Sequence, residues 1–447
     1  MAAPKKIAVI GGGLVGSLLS VYLRKRGYDV VVYERRNDPR KTNLYAGRSI
    51  NLALSTRGLK ALEEVGLADV IRKAAIPMHG RMMHNVQGEL SFLPYGKEGQ
   101  FINSISRGDL NILLMNEAEK LGVEFQFDLR CLHVDFEKTT LTLQELASGK
   151  TQTVGYDLII GADGAFSALR GSMQFTDRYD FSQDYIDHGY KELHIPAGAN
   201  DSFQLEKNAL HIWPRESFMM IALPNPDGSF TCTLFFPFEG NPSFEIFRDD
   251  QAIVKFFQET FPDATALIPD LLEDFHSNPT SSLVTMKCFP WVRNKCLLIG
   301  DAAHAIVPFY GQGMNAGFED CRILNKMLGE HNDNWDIVLP LFQKQRKPDT
   351  DAIAQLALDN FIEMRDLVGD AEFLLRKKIE AQLHARYPDQ WIPLYSMVTF
   401  NENIRYSEAY ATGKKQKAIM DEVMKTPDIA TTWQSLPFDQ IVRRLNP

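Results

Sequence analysis

Five cysteines in 447 residues, none of them in a C-x-x-C pair, leave little from which to build a disulfide framework or a zinc site. An odd set of thiols at Cys131, Cys232, Cys288, Cys296 and Cys321 is the pattern of a reducing compartment. The chain lacks any uninterrupted apolar run of the roughly 18 residues that a membrane helix needs. Lys5 and Lys6 lead directly into an apolar run and a glycine turn, without the apolar core and cleavage site of a secretory signal. A soluble, cytoplasmic protein is the expectation. Basic charge is also scarce, since 48 Lys and Arg stand against 57 Asp and Glu, giving a formal net charge of -9. That balance argues against a dedicated nucleic-acid surface. G-x-S-x-G, H-E-x-x-H and cysteine-nucleophile signatures are absent, as are internal repeats, so hydrolysis through a side chain has no support and no metal is expected. The chemistry must come from a cofactor.

What is present is ample material for large cores: 45% of residues are hydrophobic and 23% charged. Ile7 to Ile10 form an apolar run ending in Gly11-Gly12-Gly13, after which Leu14, Leu18, Leu19 and Leu23 recur at helical spacing. A second run, Val30 to Tyr33, ends at Glu34 and completes a β-α-β unit. Gly11, Gly13 and Gly16 give G-x-G-x-x-G between strand and helix, with Val15 among them. The first glycine permits the tight turn, the second admits a pyrophosphate, and the third lets helix and strand pack closely. Glu34 suits ribose hydroxyls and repels a 2′-phosphate, so the adenosine belongs to FAD or NAD rather than NADP, although Arg35 and Arg36 follow it. Asp157 to Ile160 and Cys296 to Ile299 read as further buried parallel strands. From Asp180 to Leu283 the pattern alternates, as in Ser229 to Phe236 after the turn Asn225-Pro226-Asp227-Gly228. From Trp335 onward helical periodicity dominates, broken at Pro388, Pro393 and Gly413.

The expected fold class is therefore α/β. It comprises a discontinuous Rossmann-like nucleotide-binding domain (1–75, 105–179 and 284–334), an inserted antiparallel-sheet substrate domain (76–104 and 180–283) and a helical C-terminal cap (335–447).

Two further segments decide which nucleotide is bound. Gly161-Ala162-Asp163-Gly164 is followed by Ser167 and Arg170, and Gly300-Asp301-Ala302-Ala303-His304 is followed by Pro308 and Gly311-Gln312-Gly313-Met314-Asn315. With the glycine fingerprint, these resemble the three signatures of the FAD-dependent aromatic hydroxylases, a flavoprotein family built like para-hydroxybenzoate hydroxylase, over residues 5 to about 350. The resemblance implies a bound FAD, with Asp301 on the ribityl chain and Gly313, Met314 and Asn315 opening a helix aimed at the flavin pyrimidine. There, amides and positive potential stabilise an anionic reduced flavin. It also implies that Arg107, at the start of a helix Asp109 to Leu121, lies near the pyrophosphate, and that Ala53, Leu132 and Asp163 lie beside the cofactor. His304, within an apolar turn, reads as a packing residue.

Longer stretches, Gly47 to Ser55, Pro308 to Asn315 and Asn360 to Arg365, are similar to the branch of that family that hydroxylates L-kynurenine in tryptophan degradation. That branch implies a substrate carboxylate held by Arg81 and Tyr95, which suits the chemistry, because a guanidinium binds a carboxylate bidentately and a phenol adds a donor. It also implies a site tyrosine at Tyr395 and an apolar wall at Phe309 and Met364. Ile353, Leu356, Asn360, Glu363, Met364 and Leu367 share one helix face, where two polar groups interrupt an apolar stripe. Asn360 and Glu363 are therefore expected to face a polar ligand, which the resemblance implies is the amino-acid end or the aniline region of the substrate. The implied reaction consumes NADPH and O2, passes through a flavin hydroperoxide and places a hydroxyl ortho to the aniline nitrogen. Without a second G-x-G-x-x-G, NADPH is expected to bind transiently. With the polar end Val442 to Pro447, no membrane anchor is expected, and the sequence leaves a homodimer open. The alternatives are a hydroxylase of another aromatic acid and a non-catalytic flavin-binding regulator.

Overall fold

The apolar runs that end in glycine come together as one sheet because each is aliphatic on both faces and can be covered on both. The computed structural model describes residues 5–41, 51–364 and 371–445; Gly47 to Ile50, Arg365, Leu367, Asn446 and Pro447, all singled out above, lie outside the described residues. The sheet has six strands in the order Val292–Arg293, Cys296–Leu298, Leu158–Gly161, Lys6–Ile10, Asp29–Tyr33 and Glu124–Gln126. Its neighbours run parallel except at the Val292–Arg293 edge, which turns back on its partner. Ile7 stands opposite Val30 on one side and Leu158 on the other, and Ile7, Ala8 and Val9 are wholly buried. The helices Leu14–Lys25, Arg107–Lys120 and Gly313–Glu330 contribute to the same core. Arg107–Lys120 begins two residues before the expected Asp109, because the Ser106 hydroxyl accepts from the Asp109 amide at 3.3 Å and caps it there.

The alternating segment forms a seven-stranded sheet in the order Ser281–Phe289, Asp180–Ile195, Phe230–Pro237, Phe218–Pro224, Ala209–Arg215, Gly80–His84 and Leu90–Pro94. It departs from the all-antiparallel expectation at one pair: Ala209–Arg215 runs parallel to Gly80–His84, with Ala209 opposite Gly80 and Ile212 opposite Met83. These strands come from distant parts of the chain, so no hairpin turn dictates their direction. Alternation still sorts the faces. Phe218, Met220 and Ala222 join a phenylalanine-rich core with Phe257 and Phe261, while Met219, Ile221 and Leu223 look the other way. The small sheet Asn51–Leu54, Ile102–Ser106 and Ile76–Met78 links the layers. The boundaries drawn at 75/76 and 283/284 thus fall at the start of one strand and inside another.

The 28-residue helix Trp335–Ile362 joins two cores. Trp335, Val338 and Phe342 pack under the parallel sheet, whereas Ile353, Leu356 and Phe361 pack with Phe309 and Tyr310. Ala371–Arg386 stops short of Pro388, and Pro393 caps Leu394–Thr399. Gly413 does not break the helical region as expected but lies inside Tyr406–Val423. A Cβ there would sit 2.8 Å from the Leu394 side chain, so the residue is small to let two helices touch.

Candidate active site

A continuous cavity of about 830 Å³ extends from the glycine turn to the face of the seven-stranded sheet. At the first end, Gly11 has φ of 101°, its amide donates to the Tyr33 carbonyl at 2.8 Å, and a Cβ would lie 2.5 Å from the Ala162 carbonyl oxygen. No side chain fits there. Gly13 is the N-cap of Leu14–Lys25 and lines the cavity; a Cβ on it would meet nothing within 4 Å. The first amides of the helix are therefore left accessible to an anionic group. Gly16 is not on the wall: a Cβ on it would clash with the Gly11 carbonyl oxygen at 2.0 Å, so its part is close packing. Val15 does line the cavity.

Glu34 faces the same end, its two carboxylate oxygens accepting from the Gly12 and Arg36 amides at 2.9 Å each. Arg35, Arg36, Arg107 and Leu132 also line the cavity. Asp163 uses one oxygen to accept from the Ala168 amide at 2.7 Å, while the other is buried without a partner on the cavity wall. Burial pushes its carboxyl up.

In the middle, Ala53, Asp301, Gly313 and Met314 form the wall. Asn315 turns away from it: its oxygen accepts from the Ser55 amide at 2.9 Å, and its nitrogen donates to the Ala53 and Gly311 carbonyls at 2.8 Å each. It ties the turn to the strand that carries Ala53. Beneath lies a buried ionic network. Glu319 is held by Arg57 at 2.6 Å and Arg346 at 2.8 Å, and Asp320 by Arg346 at 2.7 Å and His304 at 2.5 Å. Burial opposes the charge on Asp320, yet His304 and Arg346 hold its carboxyl below the usual range. His304 is thereby committed to the interior.

At the far end, Arg81 projects from Gly80–His84 beside two aromatic rings, with its guanidinium 5.6 Å from the Tyr95 ring centre and 5.2 Å from that of Tyr395. Tyr95 stacks on Tyr395 at 5.3 Å, and Tyr395 on Tyr310 at 5.5 Å. Arg81 Nε is buried without a partner, and the buried Tyr95 hydroxyl, which faces the Arg81 guanidinium, has no acceptor for its proton. Burial raises all three phenols well clear of neutrality, so they remain O–H donors. Phe309 and Met364 complete the wall with Met219 and Phe235. The Cys131 thiol, also on the cavity wall, is pushed up to about 12 by burial and is no nucleophile.

Two expected residues stand back from the wall. The Asn360 amide donates to the Phe309 carbonyl at 2.6 Å, a core bond that sets the wall rather than forming it. Glu363 follows the end of Trp335–Ile362 and pairs with Lys377 at 3.6 Å, although its charge still reaches Arg81. Conversely, Tyr310, Met219, Ile221 and Phe235 were not singled out from sequence. Tyr310 lay within the Pro308 to Asn315 stretch, while the others are strand residues whose face only the sheet defines.

The chain belongs to the FAD binding domain family, whose profile matches residues 5–336. Within that class it belongs with the kynurenine 3-monooxygenases. It is 51% identical to the enzyme of that name from Flavobacterium johnsoniae over 436 residues, 97% of each chain, and 50% identical to that from Flavobacterium psychrophilum over the whole of both. The Dictyostelium discoideum enzyme is 46% identical over 95% of this chain and 94% of its own. Among solved structures, 2-methyl-3-hydroxypyridine-5-carboxylic acid oxygenase shares the fold with a TM-score of 0.68 at 22% identity, over 82% of this chain and 94% of that one. The site's features fit FAD: a side-chain-free glycine cradle at a helix N-terminus, an unpartnered Asp163 oxygen, and a wall open from Glu34 to Met314. Among the described residues, no helix is long and apolar enough to cross a membrane.

Proposed function

We propose that the chain hydroxylates L-kynurenine to 3-hydroxykynurenine, with NADPH as reductant and O2 as oxidant, as a soluble cytoplasmic enzyme. The observation that carries this reading is Arg81, whose buried, unpartnered Nε stands beside a Tyr95 hydroxyl whose proton has no acceptor, at the end of the cavity remote from the glycine turn. Two orphaned donors ask for one acceptor group, and a carboxylate satisfies both. FAD, when bound, supplies the redox and oxygen-activating chemistry that these side chains lack.

The residues themselves do three things. Arg81 and Tyr95 bind the substrate carboxylate, with Tyr395 stacked behind them. Phe309, Met364 and Phe235 hold the aromatic ring and keep water away from it. Asn360, by fixing the Phe309 carbonyl, steadies the wall that meets the ring, and Glu363 acts on the amino-acid end by its field at Arg81. The aniline nitrogen of kynurenine donates electron density to the ring carbon ortho to it, so attack there needs neither a metal nor a covalent bond to the protein. At the nucleotide end, Gly11, Gly13, Val15, Glu34, Arg35, Arg36 and Arg107 would hold the adenosine and pyrophosphate, with Leu132 beside them. Asp163, Asp301, Ala53, Gly313 and Met314 would hold the remainder, braced by Gly16 and Asn315. On this reading the nucleotide domain comprises 1–75, 105–179 and 284–334, the substrate domain 76–104 and 180–283, and the cap 335–447. The test is NADPH oxidation by purified protein with and without kynurenine. Stimulation by kynurenine supports the assignment, and its complete absence removes it.

A further inference from the structure

Behind the strand that carries Arg81 runs a chain of polar groups that the reaction does not use, with His84 and His211 buried and Asp263 half-buried. Side chains alternate along Gly80–His84, so Arg81 faces the cavity and His84 the opposite core. His84 Nδ1 lies 2.6 Å from Asp263 Oδ2, His84 Nε2 lies 2.9 Å from His211 Nδ1, and His211 Nε2 lies 2.8 Å from the Glu206 carbonyl oxygen. Trp213 stacks on His84 at 4.0 Å, and its indole N–H faces both Asp263 oxygens at 3.0 and 2.9 Å. Arg215 donates to the His84 carbonyl at 3.1 Å. The charged groups facing the two rings are thus Asp263 from the helix Pro262–Thr265, Arg215 from the neighbouring strand, and Glu206 ahead of that strand.

Counting protons decides the charge of this chain. Its two ends, a carboxylate and a carbonyl, only accept. Three contacts then need three protons, and two neutral imidazoles carry two. Asp263, His84 and His211 together therefore hold one proton more than an ionised carboxylate and two neutral rings would. Burial brings His211 down to about 4. Burial alone would raise the Asp263 carboxyl, yet His84 and Trp213 hold it below its usual range. With His84 Nδ1 donating to Asp263 and His211 Nε2 donating to the carbonyl, the added proton lies on the contact between His84 Nε2 and His211 Nδ1.

We propose that His84 is a positioning residue: clamped between Asp263 and His211 in a chain that holds one extra proton, it ties Gly80–His84 to Ala209–Arg215 and so fixes where Arg81 meets an anionic substrate. The inference rests on the reading of Arg81 as the carboxylate anchor. The strand needs such a tie, because its outer neighbour, Leu90–Pro94, is largely exposed and its inner one is held by a parallel ladder of four residue pairs. When the third proton leaves, one contact sets two lone pairs against each other and the tie opens. A proton held by the fold lends its support on the acid side and withdraws it as pH rises. KM for the substrate should therefore climb on the alkaline side while kcat holds.

Asp263→Asn is the discriminating variant. Its carboxamide can donate to His84 Nδ1, His84 can donate to His211, and His211 can donate to the carbonyl, which satisfies all three contacts with neutral rings. KM for kynurenine is measured on the FAD-loaded enzyme from about pH 6 to about pH 9, the range that a histidine switch spans. In the unsubstituted enzyme KM should rise by up to about tenfold per pH unit above the trio's titration, the slope of one linked proton. In Asp263→Asn that rise should vanish. A variant that reproduces the rise overturns the proposal, since the limb then belongs to the substrate's amino group or to another residue. A second measurement needs no turnover: nitrogen-15 NMR of labelled histidines in the unsubstituted protein, with signals assigned by their loss in His84→Gln. One doubly protonated ring in the His84–His211 pair is expected at the acid end of that range, and two neutral rings there overturn the proposal. If the unsubstituted enzyme does not oxidise NADPH with kynurenine, the functional reading fails, and the NMR result still decides the charge of the trio.

Discussion

A buried donor left without a partner costs about 1–3 kcal/mol, and Arg81 and Tyr95 each hold one at the same end of the cavity. A bound carboxylate recovers that cost, so Arg81→Ala is expected to weaken kynurenine binding by on the order of 2 kcal/mol, the worth of a charge-assisted hydrogen bond. FAD content should stay unchanged. Equilibrium titration of the flavin spectrum measures it, and an unaltered affinity would refute the role. Arg81→Lys should fare only slightly better, since an ammonium lacks the planar fork. None of this was legible from Arg81 by itself, because a lone arginine in a strand reads as solvated; the longer shared stretches carried the assignment. Asn360 teaches the converse. Helical spacing correctly marked it as a buried polar group, but spacing names a face and not what lies opposite, which here is the Phe309 carbonyl at 2.6 Å.

At the scale of elements, the glycine-ended apolar runs gave strand positions to within about a residue, because a parallel strand covered on both faces leaves an unbroken aliphatic signature. The parallel pairing of Gly80–His84 with Ala209–Arg215 left no such mark, since the direction of two distant strands is set by the layers between them. Gly413 misled for a related reason: a glycine in a helical pattern signals a break unless a neighbouring helix needs the space. Gly413→Val tests that contact. The added side chain would push Leu394 and the attached Tyr395 from their places, with a packing cost of roughly 1–3 kcal/mol. The expected result is a raised KM for kynurenine with FAD uptake intact. Intact substrate binding would show that the Leu394–Thr399 helix does not position the tyrosine stack.

Across the whole molecule, the buried ions join regions that the sequence pattern keeps apart. Arg57 bridges Glu319 to the Val398 and Asn401 carbonyls, and Asp349 joins Arg346 to Arg405, so the cap is fastened to the helix beneath the cofactor turn. Removing one partner leaves buried charge uncompensated, and Arg346→Met should cost about 3–5 kcal/mol in unfolding measurements. Because the Asp320 carboxyl is held low in the fold, its contribution is present above the ordinary carboxylate value and is lost as pH falls through its folded value. Unfolding temperature should therefore drop below about pH 4, and drop less steeply in Arg346→Met. The central claim is that one cavity sets a flavin ring against an aromatic amino acid held by its carboxylate. Mass analysis of the product formed from kynurenine and NADPH under isotopically labelled O2 tests this most directly. The account predicts a single labelled oxygen on the ring ortho to the amino group; an unlabelled product, or NADPH consumed with kynurenine left unchanged, would contradict it.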